Sequence, residues 1–261
     1  MRFNHIFKLT NENKTHREYK CNNVNINIDF ISDSALRVAV FNDNAKILPT
    51  FTVNPNNNLS SLGRSRLSTD GFDCVAPVVE KFDNKEQFIL ACGVTVDLDL
   101  NNFILSYSKE SKFLFGDRPP LAYNFEGEFG NGSYHYITRE DDEHIFGLGD
   151  KSGLINKAGK VYRIETADSM GFDAEKTDPL YKHVPFYICE NSVGAYGIYY
   201  DTTDSSFVDL GREINNYYCH FKYFKTDDDC LVYYVFFGNK LSVLQQYARL
   251  CGKQAFPPKW S

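Results

Sequence analysis

The sequence predicts an all-β fold: a large antiparallel β-sandwich with one short helix near its C-terminal end. Short segments rich in aromatic and β-branched residues recur along the 261 residues, and polar turns separate them. No convincing helical pattern interrupts these segments before residue 240. With 43% hydrophobic and 15% aromatic residues, the chain can bury a sizeable core. Repeated strands without intervening helices are typical of a sandwich.

The first strands are predicted from the alternation of polar and apolar residues. Residues 25–31 alternate with a period of two, and residues 36–41 do so more loosely after a turn at Asp33 and Ser34. These two strands are predicted to pair as a hairpin. Residues 42–74 are rich in Asn, Ser, Gly and Pro, which predicts a long surface excursion.

Further strands are predicted along the rest of the chain. Residues 93–100 place valines and leucines on one face and Thr95, Asp97 and Asp99 on the other, as in a half-buried antiparallel strand. Breaks rich in glycine or proline follow at 116–120 and 127–132. The other predicted strands span residues 87–91, 102–107, 133–137, 193–200, 217–224 and 231–237.

One helix is predicted over residues 240–251. Its apolar stripe consists of Leu241, Leu244, Tyr247, Ala248 and Cys251. A stripe of this kind is typical of a helix face that packs on a core. Gly252 follows as a C-terminal cap, because glycine readily adopts the backbone conformation that ends a helix.

Charge and cysteine content exclude several functions. The net charge of -6, with both signs mixed, argues against a nucleic-acid partner, which needs a basic stripe. The seven cysteines are scattered and contain no Cys-x-x-Cys, so we expect free thiols in a reducing compartment, with no zinc cage. The first residues are too polar for a signal peptide, and no apolar run is long enough for a membrane span. We expect a cytoplasmic protein with no cofactor and no membrane partner.

The segment 145–186 differs from the rest of the chain. Its glycines at 147, 149, 153 and 159 alternate with charged residues, which predicts a shaped loop rather than plain scaffold. Six motifs follow one another here and beyond: Phe146-Gly147-Leu148-Gly149-Asp150-Lys151, Ala167-Asp168, residues 177–186, residues 196–201, residues 233–238 and Pro257-Pro258-Lys259-Trp260. In this order they resemble glycoside hydrolase family 31, the α-glucosidase and α-xylosidase family.

The resemblance has implications for domains, activity and partners. It implies a galactose mutarotase-like β-sandwich over residues 1–254 and the start of a truncated (β/α)₈ catalytic barrel over residues 255–261. It also implies that the parent enzyme hydrolyses terminal α-glycosidic bonds with retention, using two carboxyl groups. In the family both lie on the barrel, so no catalytic residue is expected in this chain. The implied partners are an α-linked oligosaccharide or glycoside and the protein's own barrel.

Asp168 is the candidate substrate-binding residue. The resemblance implies that it lies on a loop that reaches over the barrel mouth and accepts hydrogen bonds from sugar hydroxyls. A carboxylate suits this task because it accepts from two neighbouring hydroxyls at once. The alternative is that Asp168 caps a turn before Ser169 and Gly171. The residues before it are Glu165-Thr166-Ala167 instead of the family's aromatic-Asn-Thr, which predicts an altered subsite.

Other charged residues are assigned structural roles. Asp178 precedes Pro179 and is expected to form a turn. Asp150 is expected to tie the glycine-rich loop to neighbouring strands or to Lys151 and Arg163. The acidic clusters at 141–143 and 227–229 lie between predicted strands, so we expect solvated turns.

Two other classes of function remain open at this point. One is a freestanding carbohydrate-binding module or a mutarotase-like epimerase, which needs a histidine acid opposite a carboxylate base. The histidines available for that role are His135, His144, His183 and His220. The other is a pure interaction scaffold, which explains the strands but not the order of the motifs. A dinucleotide loop is excluded because the third glycine comes one residue late and no βαβ unit surrounds it.

Overall fold

The computed structural model describes residues 5–58, 60–212, 221–252 and 256–260. The strands are β1 (Lys8–Glu12), β2 (His16–Cys21), β3 (Val24–Phe30), β4 (Ala35–Asn42), β5 (Val78–Phe82), β6 (Lys85–Ile89), β7 (Val94–Asp99), β8 (Ile104–Lys109), β9 (Lys112–Gly116), β10 (Ser133–Thr138), β11 (His144–Gly147), β12 (Val161–Ile164), β13 (Phe186–Glu190), β14 (Ala195–Tyr200), β15 (Ser206–Asp209), β16 (Phe221–Thr226) and β17 (Cys230–Gly238). One 3₁₀ turn spans Phe125–Gly127, and the helix α1 spans Lys240–Cys251.

The strands form three antiparallel sheets. The largest has eight strands in the order β1-β2-β3-β4-β17-β14-β13-β11, and the others have the orders β5-β6-β7-β8-β9 and β10-β16-β15-β12. Side chains from all three sheets meet in one core, for example Ile26, Val96, Phe224 and Val235. This arrangement confirms the predicted all-β sandwich with one C-terminal helix.

Alternation along the strands explains which face each sheet buries. In β7, Val94, Val96 and Leu98 are buried, whereas the residues between them are half-exposed, as predicted. The predicted hairpin is present as β3 and β4, which pair with Ile26 opposite Val40. Of the predicted strand 217–224, residues 217–220 lie outside the described residues, and β16 begins at Phe221.

The far side of the largest sheet is covered by α1 and by the excursion 42–74. Val53 from the excursion and Val243 and Leu250 from α1 pack with Tyr199 and Phe236 of the sheet. Because β14 and β17 are thus covered on both faces, all their residues except Gly238 are buried. This double burial explains why these two strands are almost continuously apolar or aromatic instead of alternating.

The helix α1 has the predicted bounds, but of the predicted stripe Tyr247 packs on the sheet while Leu241 and Leu244 do not. Asn239 accepts a hydrogen bond from the Ser242 N–H at the start, and Gly252 with φ +88° ends the helix. Val243 and Leu250 are buried, and each such side chain contributes about 1.5–3 kcal/mol. Leu241 and Leu244 of the predicted stripe are 65% and 50% exposed, so that part of the prediction is wrong.

The reason for this difference lies in the sheet below the helix. Tyr247 stacks on Phe186 of β13 with ring centroids 3.9 Å apart, and the side of α1 that carries Tyr247 and Val243 faces the sheet, whereas Leu241 and Leu244 lie outside this contact. The apolar stripe of α1 is wider than the area of the helix that touches the sheet, so the side chains at one edge of the stripe stay exposed.

The excursion 42–74 is held against the sandwich by buried arginines. Arg37 of β4 binds Asp29 and donates to the main-chain carbonyls of Arg66, Leu67 and Ser68 at 2.7–2.8 Å. Arg66 in turn donates to both carboxylate oxygens of Asp228, at 2.6 and 3.1 Å. The excursion therefore lies on the surface, as predicted, but is tied to the fold by charge-assisted hydrogen bonds.

The two acidic clusters are not simply solvated turns, which corrects the prediction. Asp227 and Asp229 are exposed, but Asp228 between them is buried against Arg66. Glu143 is also buried, and it accepts hydrogen bonds from Tyr196, at 2.8 Å, and from Lys222. In both clusters a cation distant in sequence pairs with one carboxylate, which makes its burial possible.

Among the described residues, no helix is both long and apolar enough to cross a membrane. The helix α1 has only 12 residues.

Candidate functional site

Two glycines allow the motif segment to lie directly on strand β13. Gly147 has φ +123°, and a Cβ there would come 2.6 Å from the Phe186 carbonyl oxygen. Gly149 has φ +68°, and its Cβ would come 2.8 Å from Val184 Cγ2. The Leu148 N–H between them donates to the same Phe186 oxygen at 2.7 Å. A side chain at Gly147 would push the segment away from β13, and one at Gly149 would collide with Val184 just before that strand.

The loop that carries Asp168 follows β12 and runs beside residues 179–181. The Ala167 N–H donates to the Leu180 carbonyl at 3.0 Å, and the Ser169 hydroxyl donates to the Pro179 carbonyl at 2.9 Å. The Tyr181 hydroxyl adds a third hydrogen bond between the two segments by donating to the Ser169 carbonyl at 3.2 Å. The residues on both sides of Asp168 are therefore fixed by hydrogen bonds.

Asp168 itself is exposed, and its carboxylate forms no hydrogen bond or ion pair within the described part of the chain. It does not accept from the main-chain N–H groups of Ser169 or Gly171, so the turn-capping alternative finds no support in this geometry. A solvated carboxylate on a fixed backbone keeps both oxygens available to accept hydrogen bonds from a ligand. Met170 and Phe172 beyond it are also exposed, at 93% and 57%.

A polar cavity of about 430 Å³ lies at the base of this loop. Glu165 and Thr166 line one side of it, and His183 lines another. Further hydroxyl groups surround it, from Thr52, Thr202, Thr203 and Ser205, and the rings of Tyr199 and Tyr247 contribute as well. The sequence patterns did not indicate this cavity, because its wall joins the excursion, α1 and two loops that are far apart in the chain.

Beside the loop, Asp178 takes the structural role that was expected of Asp150. Its carboxylate is 2.8 Å from Lys151 Nζ and accepts the Arg163 N–H at 2.6 Å. Asp178 therefore ties the glycine-rich segment to β12 in addition to preceding Pro179 in the expected turn, and this corrects the assignment of that role to Asp150. The pairing could not be read from the sequence, because Lys151 and Asp178 are separated by 27 positions.

Of the histidines considered for a mutarotase-like reaction, His183 lines the polar cavity, whereas His135 is inaccessible. His135 is 1% exposed and sits between Asp117, 2.9 Å from Nε2, and the Tyr200 hydroxyl, 3.0 Å from Nδ1. A sugar cannot reach this ring, which stacks on Tyr123 inside the core. The remaining candidates are His144, which is exposed, His183, which contacts the Asp204 carbonyl, and His220, which lies outside the described residues.

Metal binding has no support in the part of the chain that the structure describes. It contains no group of three or more histidine, cysteine, aspartate or glutamate side chains arranged to hold an ion.

A family model described as the glycosyl hydrolase 31 N-terminal galactose mutarotase-like domain matches residues 25–209. The chain belongs to this family. The match confirms the resemblance seen in the motifs, and it covers the Gly147–Gly149 segment, the Asp168 loop and Asp178.

Curated members of the family show sequence similarity as well. The chain is 27% identical over 157 residues to alpha-glucosidase 2 of Bacillus thermoamyloliquefaciens, covering 59% of this chain and 19% of that protein. It is 26% identical over 246 residues to an alpha-xylosidase of Saccharolobus solfataricus, covering 92% of this chain and 30% of that protein. The chain thus spans less than a third of the length of these relatives.

Among solved structures, the family 31 dextranase of Flavobacterium johnsoniae complexed with glucose has a similar fold. Its TM-score is 0.79 at 23% identity, and the match covers 98% of this chain and 29% of that chain. Glucosidase II alpha subunit matches with a TM-score of 0.69 at 13% identity, again over 98% of this chain. At these identities the likeness supports the sandwich fold.

Proposed function

We propose that this chain is the N-terminal β-sandwich of an α-glucosidase-like family 31 glycosidase and that Asp168 binds the substrate. The reaction of the parent enzyme is the retaining hydrolysis of terminal α-glycosidic bonds. The observation that supports the proposal is the family match over residues 25–209. The matched residues include the loop in which Asp168 has an exposed carboxylate and the neighbouring backbone is fixed by hydrogen bonds.

In this proposal the sandwich ends at residue 254, and residues 255–261 begin the catalytic barrel that carries both catalytic carboxyl groups. Phe256 and Trp260 support this division, because they are 97% and 89% exposed on the sandwich and thus fit a neighbouring domain better than the sandwich core. The ligand of Asp168 would be an α-linked oligosaccharide or glycoside held between the sandwich and the barrel.

A cytoplasmic location is part of the proposal. Six cysteines are free thiols in the described residues: Cys21, Cys74, Cys92, Cys189, Cys230 and Cys251. Burial raises the pKa of Cys189 and of Cys230 to about 12, so neither thiol reacts readily at neutral pH. Free thiols in this number are typical of a reducing compartment.

The test is the hydrolysis of a panel of aryl α-glycosides by the full-length protein and its Asp168→Ala variant. Loss of the sugar contact should lower kcat/KM by roughly tenfold or more, which corresponds to about 1.4 kcal/mol. The matched control is Glu175→Ala, which removes an exposed carboxylate of the same loop that forms no hydrogen bond or ion pair among the described residues, and it should keep wild-type kcat/KM. Wild-type kcat/KM in Asp168→Ala, on every substrate of the panel, would contradict the role of Asp168.

A further inference from the structure

Lys151 and Asp178 form an ion pair at the base of the loop that carries Asp168. We propose that this pair is a latch that holds the loop in position, so that Lys151 and Asp178 are positioning residues for the sugar contact. The proposal rests on the proposed role of Asp168. It adds two residues that touch no substrate themselves and act through the backbone of the loop.

The latch joins three points of the chain. Lys151 Nζ is 2.8 Å from Asp178 Oδ1 and also donates to the Arg163 carbonyl, while Asp178 Oδ2 accepts the Arg163 N–H at 2.6 Å. Both main-chain polar groups of Arg163 are therefore bound to the pair. Arg163 lies in β12 before the loop and Asp178 lies after it, so the contact closes the loop at its base.

The residues after Asp178 carry the constraint to Asp168. Pro179 and Leu180 supply the carbonyl groups that accept from the Ser169 hydroxyl and the Ala167 N–H. Ala167 and Ser169 flank Asp168, so a shift of residues 178–180 would displace the carboxylate directly. Positioning of this kind matters because small displacements of a binding group reduce rates strongly.

Little apolar packing is available to replace the latch. Residues 170–176 are all exposed, and between Glu165 and Tyr181 only Leu180 is fully buried. Polar contacts must therefore supply most of the order in this loop. The Lys151 side chain is 0% exposed and that of Asp178 is 16% exposed. Water and salt therefore weaken this ion pair less than they weaken a pair on the surface.

A second buried lysine near Lys151 increases the need for the negative charge of Asp178. Lys157 is buried nearby, and its ammonium group donates to the Ser152 carbonyl at 3.0 Å. Burial lowers the pKa of Lys157, and the Lys151 ammonium lowers it further. Neutralising Asp178 would leave two close lysines without this carboxylate, so Asp178→Asn should loosen the loop at least as much as Lys151→Met.

The first test measures backbone amide hydrogen exchange in the full-length protein with Lys151→Met and with Asp178→Asn. Peptides from residues 165–181 should exchange at least roughly tenfold faster, while β14 and β17 keep wild-type protection. The matched control is Lys20→Met, which breaks an exposed Lys20–Asp43 pair of the same 2.8 Å length. Wild-type exchange at 165–181 in both variants would overturn the latch. Faster exchange in β14 and β17 as well would assign the pair to the whole fold and also overturn the proposal.

The second test asks whether the latch acts through Asp168. Lys151→Met should lower kcat/KM for an aryl α-glycoside in the wild-type background and have no further effect in the Asp168→Ala background. Equal effects in the two backgrounds would refute the positioning role. If Asp168→Ala alone has no effect while exchange at 165–181 still rises in the latch variants, the role of Asp168 fails and the latch remains.

Discussion

Removing one partner of the buried pair between Arg66 and Asp228 should strongly destabilise this sandwich. Arg66 lies in the excursion 42–74 and is 3% exposed, and Asp228, next to β17, is 4% exposed. The guanidinium also donates to the carbonyls of Leu48 and Asp201 at 2.8 and 2.9 Å. Arg66→Met keeps an apolar chain of similar length but removes every one of these donors.

The magnitude follows from what remains after the substitution. Asp228 would keep hydrogen bonds from the Thr202 hydroxyl, at 2.9 Å, and from the Cys230 N–H, at 3.1 Å, but it would lose its cation. Removing one partner of a buried ion pair costs about 3–5 kcal/mol, because the other charge stays buried and uncompensated. A loss of that size is a large part of the roughly 5–15 kcal/mol that stabilises a typical domain.

Urea denaturation of the 261-residue chain at pH 7, followed by near-ultraviolet circular dichroism, measures this loss. The control is Arg64→Met in the same excursion, because among the described residues the Arg64 guanidinium donates to the carbonyls of Ser68 and Asp70 and lies over the Phe72 ring, without a carboxylate partner. We expect about 1 kcal/mol for this control. The double variant Arg66→Met/Asp228→Asn should recover part of the loss, since it also removes the buried charge. Equal losses for Arg66→Met and Arg64→Met would refute the reasoning.

Two further predictions concern a close backbone contact and pH. Gly147→Ala should lower the free energy of unfolding by about 1–3 kcal/mol, because the backbone has φ +123° and the new Cβ would lie 2.6 Å from the Phe186 oxygen. Urea denaturation measures this loss. The reference is Gly159→Ala, whose Cβ would have no atom within 4 Å. The hydrogen bond from His16 to Asp29 raises the pKa of His16 above 6.5. The stability that protonated His16 adds should therefore be fully present below about pH 6.5 and be lost as the pH rises through the raised pKa of His16. The wild-type protein should exceed His16→Gln in free energy of unfolding by more at pH 6 than at pH 9. An advantage that grows with pH would contradict this sign.

The sequence alone was enough to predict the fold class, the helix bounds, the family and the strands with a clear local pattern, but not β1, β2, β5, β9, β11, β12, β13 or β15. Period-two alternation marks β3 and β7 because successive side chains of a strand point to opposite faces, and that is a local property. The bounds of α1 follow from neighbouring residues such as Gly252. The ordered motifs were sufficient to identify the family, since their spacing along the chain is visible without any coordinates.

Which charged residues are buried, and which loop contacts order the candidate site, became visible in the folded molecule. Arg66 and Asp228 are 162 positions apart, and Lys222 and Glu143 are 79 apart, so nothing local marks Asp228 or Glu143 as different from the exposed carboxylates beside them. The buried face of α1 and the partner of Lys151 were decided in the same way. A charge or an apolar edge is buried when a complementary group arrives from another part of the chain, and that meeting is a property of the folded molecule.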